Sequence, residues 1–185
     1  LYVAAPDRIQ KYNSSTGAFV GWIGGIQGVP TGGAVGCNTA LAGDVTPGWC
    51  TGGSASNTHT EGYYTSPKGL AITGDGYLLI ANNTTEVTKV NAASGAYSGW
   101  LGTYNGYTSS WTNDDTVQST SESGDGDLNA PDGGVVVDST NTYFYVLDTN
   151  NHRIMKYNFT SGAWVGWIGK ILTSPTGGAV GCAGA

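Results

Sequence analysis

The residues with the most chemical potential are few. His152 and Arg153 stand side by side, and the second histidine, His59, lies in an unrelated context. A zinc site built from three histidines cannot be assembled from two. Asp125-Gly126-Asp127, with Asp114 and Asp115 upstream, offers carboxylate oxygens to calcium. Its spacing fits no EF-hand loop, however. There is no Ser–His–Asp arrangement, no phosphate-binding loop and no Cys-x-x-Cys. These residues imply no catalytic group, no metal site and no cofactor.

Covalent chemistry is better represented. Asn13, Asn82, Asn83 and Asn158 each open an Asn-x-Ser/Thr acceptor sequence, in segments expected to be surface turns. They are the candidate glycosylation sites. Cys37 and Cys50 lie in one segment and are expected to pair, closing a small loop worth roughly 3 kcal/mol. Paired cysteines imply an oxidising setting, extracellular or at the cell surface.

The elements that position these residues come from a repeat. FYVLDTNNHRIMKYNFTSGAWVGWIG, residues 144–169, has two sister copies, at residues 1–24 and 78–102. Each reads as three short β-rich runs separated by turn clusters. Lys11, Lys89 and Lys156 are equivalent, as are Trp22, Trp100 and Trp167. A tryptophan repeated at one strand position is expected to fill the wedge between neighbouring sheets. Trp49 and Trp111 lie outside the repeats and are expected to be available for surface contact. The second and third copies are preceded by a further apolar run, at residues 69–72 and 134–137. The fold expected is all-β, with propeller-type blades of four antiparallel strands. The whole chain, 1–185, reads as one repeat region. Its blades span 1–24, 67–102 and 131–169, with connectors at 25–66 and 103–130 and a tail at 170–185. The glycine in Phe19-Val20-Gly21-Trp22-Ile23 is expected to mark a bulge or a close backbone approach.

Composition narrows the function classes. Seven basic residues against 13 acidic ones, a net charge of −6, leave no basic patch for nucleic acid. No run approaches the ~20 apolar residues of a membrane helix, so no membrane insertion is expected.

SPKGLAITGDGYLLIANN and APDGGVVVDSTNTYFYVLDTNNHRIMKYN resemble NHL repeats. The shared features are Pro-x-Gly before an apolar strand, Asp-Gly or Asp-Ser, a second apolar strand, and Asn-His-Arg-Ile before an aromatic. The GDGDLNAP lead-in is similar as well. The second copy departs at Glu86-Val87, and the long connectors exceed the family's blade. The resemblance implies a β-propeller. NHL-type lyases use His, Arg and a metal at the propeller's centre, but the counterparts of His152-Arg153 here are Asp7-Arg8 and Thr85-Glu86. The pair therefore reads as repeat consensus.

The repeats come to roughly two and three-quarter blades, whereas closed propellers use about four to eight. PTGGAVGC at 30–37 recurs at 175–182, which makes Cys182 the counterpart of Cys37. The expectation is an incomplete propeller, cut inside a repeat. The function expected is a non-catalytic extracellular structural module. Its partners would be other copies of itself, head to tail, or adjacent repeats of a longer chain or filament. A glycan- or protein-binding propeller module, or a fragment of an NHL-type lyase or hydrolase, are the alternatives.

Overall fold

The computed structural model describes residues 1–57, 63–83, 85–102, 110–112, 123–171, 175, 177–180 and 182. Strands β1 (Tyr2–Ala5), β2 (Arg8–Tyr12) and β3 (Phe19–Ile23) form an antiparallel meander, blade 1. The segment that follows is more than a linker. It contributes β4 (Gly25–Gly28), β5 (Gly32–Gly33), β6 (Cys50–Thr51) and β7 (Ser54–Ser56). β6 and β5 extend the first sheet beyond β3, while β4 pairs with β7. Blade 2 is β8 (Gly69–Ile72), β9 (Tyr77–Ala81), β10 (Glu86–Asn91) and β11 (Tyr97–Gly102). Blade 3 is β12 (Val135–Val137), β13 (Tyr143–Asp148), β14 (Arg153–Asn158) and β15 (Trp164–Gly169). The fold is all-β, and its four-stranded antiparallel sheets form an open array rather than a closed barrel.

Local sequence explains the repeated geometry. In each blade the last two strands are joined by an Asn-x-x-x-Gly turn. Asn13, Asn91 and Asn158 each turn Oδ1 back onto backbone N–H groups two or three residues on. Gly17, Gly95 and Gly162 close the turns at φ 70°, 78° and 76°, where a side chain would be strained. The register then slips by one residue after Lys11, Lys89 and Lys156, opposite Gly21, Gly99 and Gly166. This is the bulge that the strand glycine marks. The first strands of blades 2 and 3 converge, and a Cβ on Gly69 would collide with Gly134 Cα.

Successive blades bury apolar faces between them. Ile9, Ile23, Trp49, Tyr64, Leu78 and Ile80 fill the junction of blades 1 and 2. Leu79, Val87, Leu101, Phe144, Val146 and Met155 fill that of blades 2 and 3. A third cluster, Trp22 with Ile26 and Ala55, surrounds the disulfide of Cys37 and Cys50, whose Cα atoms are 5.6 Å apart.

Candidate functional site

Arg153 brings two of the sequence motifs together. It opens β14 directly opposite Asp148, the last residue of β13. Asp148 is fully buried, and Arg153 Nε donates to its Oδ2 at 2.8 Å. The rest of the guanidinium donates to backbone oxygens: Nη1 to Ser123 at 3.0 Å, Nη2 to Gly124 at 2.8 Å and to Asp127 at 2.9 Å. The fork of donors thus holds the lead-in loop against the blade. Asp148 Oδ1 accepts from the Asn129 N–H at 2.7 Å. A charge this deep is tolerated because it is both paired and hydrogen-bonded.

The acidic motif has the same structural character. Asp127 Oδ2 accepts from Gly124 N–H at 2.7 Å, and Asp125 Oδ1 accepts from Trp167 Nε1 at 3.1 Å. Gly126 O accepts from the Tyr157 hydroxyl at 2.9 Å. Burial, then the negative charge of Asp148, pushes that phenol well above the ordinary tyrosine range. Asp114, Asp115 and His59 lie outside the described residues. Among the described residues, no three His, Cys, Asp or Glu side chains gather as a metal-binding group. His152 is exposed and follows a single 3-10 turn, Thr149–Asn151, in the left-handed conformation at φ 53°.

The acceptor asparagines divide. Asn13 is exposed, and its Oδ1 alone is engaged, by Ser15 and Thr16 N–H. Asn158 is half-buried, and Ser161 engages its Oδ1 in the same way. Asn82 does not lie on a surface turn as expected. It is 1% exposed, and its Nδ2, the atom a glycan would occupy, donates to Tyr63 O at 3.1 Å and Glu86 Oε1 at 3.2 Å. The cause is its place in the repeat: Asn82 is the counterpart of Asp148, and Glu86 of Arg153. The corner that blade 3 fills with an ion pair is filled in blade 2 by an amide and a carboxylate. Asn83 is half-buried with its amide against the Asp132 carboxylate, and Thr84 lies outside the described residues.

Of the connector tryptophans, Trp49 is not a surface group, and Trp111 is half-buried. Trp49 is buried and donates to Ala92 O at 3.2 Å. Trp111 donates to Phe159 O at 2.7 Å and stacks on Phe144, centroids 5.4 Å apart. Each walls a cage around the repeat lysine. Lys11 Nζ lies 5.1 Å from the Trp49 ring and donates to Ala92 O and Ala93 O in the turn of blade 2. Lys89 Nζ lies 4.4 Å from the Trp111 ring and 5.7 Å from Phe159, in the turn of blade 3. Burial lowers the pKa of both ammonium groups. Lys156 has only a half-cage, with Tyr143 at 3.7 Å and Tyr145 at 5.8 Å, and donates no hydrogen bond to a described residue. On the outer side of blade 3, Leu147, His152, Arg153, Ile154 and Ile168 line an open, shallow depression of about 470 Å³.

Of the strand tryptophans, Trp22 and Trp100 are buried, and Trp167 is half-buried against the blade 2–3 core. Comparison with protein-family models gave no match, and comparison with curated proteins gave none either.

Proposed function

We propose that the chain is a non-catalytic, extracellular structural module of NHL-like repeats that associates with copies of itself head to tail. The observation that carries this reading is the open blade array, with apolar sheet residues exposed at both ends. Val3 is 37% exposed in the first blade, and Ile168 is 68% exposed in the last. Sheet residues of this kind are what interfaces cover. Two unlike ends that fit one another make a heterologous contact, which extends into a filament unless the rotation closes a ring. The disulfide supports an oxidising location. The exposed Asn13 turn supports a glycan-bearing surface.

A glycan-binding module would use exposed connector aromatics, whereas Trp49 and Trp111 pack inward. An NHL-type enzyme would draw on the His-Arg pair, whereas Arg153 is committed to the loop it holds. Sedimentation velocity of the glycosylated, oxidised protein over a wide concentration range tests the proposal. Growing species, seen as rods or rings by electron microscopy, are expected. A monomer at every concentration would overturn it.

A further inference from the structure

We infer that the outward face of blade 3 is one half of a specific contact, and that its other half is the opposite face of blade 1 in a second copy of this chain. This rests on the self-association proposed above and assigns its surfaces. The basis is that the molecule already makes the contact twice internally.

Register fixes the equivalences. Ile9 pairs with Ala4 and Ile23, Val87 with Ala81 and Leu101, and Ile154 with Leu147 and Ile168. In blades 1 and 2 the central pairs, Ile9 with Ile23 and Val87 with Leu101, are buried under the next blade. In blade 3 the corresponding pair is Ile154, half-buried, with Ile168, 68% exposed, and Leu147 beside them is 37% exposed. The glycines opposite Lys11 and Lys156 differ as well: a Cβ on Gly21 would meet Trp49 Cβ and Cys50 O of the first connector at 3.0 Å, whereas one on Gly166 would meet nothing within 4 Å.

The opposite face shows the complementary gap. Leu78 and Ile80 of blade 2 and Phe144 and Val146 of blade 3 are buried against the preceding blade. Their counterparts in blade 1 are Leu1, 65% exposed, and Val3, 37% exposed. Each open face is thus half of a junction whose full form is present elsewhere in the molecule. A second copy supplies both missing halves with one contact. The same register places the Ser14-Ser15 turn of the second copy over Lys156. There its carbonyls would complete the half-cage, as Ala92 and Ala93 do for Lys11.

The test uses two variants of the full chain, each an aspartate on one open face. Ile168→Asp blocks the outward face of blade 3, and Val3→Asp blocks the face of blade 1, with Leu1→Asp as its substitute should Val3→Asp fail to fold. Circular dichroism checks folding, and sedimentation velocity reads association. Each variant alone is expected to associate at least about tenfold more weakly than the unmodified chain, since the contact would bury a charge. An equimolar mixture of the two is expected to form dimers and nothing longer, because one live face of each kind remains. Association of both variants at full strength would overturn the assigned surfaces while leaving self-association standing. A mixture that stays monomeric would overturn the complementarity of the two faces. A monomeric unmodified chain would overturn self-association and the assignment together. An Ile168→Cys thiol that stays unreactive to maleimide by peptide mapping at concentrations below assembly would give the face to a segment of the same chain, and would overturn a second copy as its occupant.

Discussion

Blade 2 and blade 3 have the same four strands, the same Asn-to-Gly turn and the same bulge, yet they differ in what surrounds them. Blade 2 is covered on both faces, and its central strands are almost wholly buried. Blade 3 is covered on one face, and its last strand contains no fully buried residue. The strand sequence does not decide this, because Leu101 and Ile168 are similar residues at the same position. Burial here belongs to the junction and not to the strand. A repeat array has this property generally: stability is a sum of units and of contacts between neighbours.

The largest expected effect separates the two corners. Arg153→Ala leaves Asp148 buried without its partner, and a loss of about 3–5 kcal/mol is expected in urea unfolding. The amide–carboxylate corner should be weaker, with Asn82→Ala losing about 1–3 kcal/mol. Equal losses would mean that the ion pair adds nothing to the corner. The junction comparison comes next. Leu101→Ala should cost about 2–5 kcal/mol, and Ile168→Ala less than about 1 in the monomer. A large loss at Ile168 in monomeric protein would break the equation of burial with neighbour contact.

Alkali should act on both junctions. Tyr64 and Tyr157 are buried, and their phenols titrate well above the ordinary range, chiefly through burial and secondarily through Glu86 and Asp148 respectively. The unfolded chain therefore loses these protons first. The stabilisation is full below pH ~10 and is lost as pH rises further. Melting temperature should fall above pH ~10, and Tyr157→Phe should reduce the slope. An unchanged slope would show that Tyr157 does not carry the effect. The smallest difference concerns the cages. Lys89→Met should cost about 1 kcal/mol, and Lys156→Met, with its half-cage, about 0.5 kcal/mol in the monomer.

Much of this fold is legible in the sequence, because its elements are local. The turns are written as Asn-x-x-x-Gly, and the strands as short apolar runs between them. The strands of the first connector were not legible, since two-residue pieces such as Gly32–Gly33 carry no periodicity. Trp49 was misread for a different reason. Its partner is the Ala92 carbonyl in another blade, and only the folded junction brings them together. Asn82 carried a usable signal. Aligned on the repeat, it falls on Asp148 at the strand end, a corner rather than a turn tip. Arg153 stood in the repeat consensus, but its hold on the GDGD loop crosses some thirty residues that pattern alone does not bridge.

The disulfide beside blade 1 also guards a sheet edge. β6 and β5 lie along the outer edge of β3, and the Cys37–Cys50 link ties the segment that carries them. An uncovered β3 would offer a row of amides and carbonyls to any passing strand. Cys50 pairs with Trp22 on that edge, so the disulfide holds a strand against β3 there. Reduction would release that strand's anchor and leave the outer edge of β3 open to pairing with any other strand.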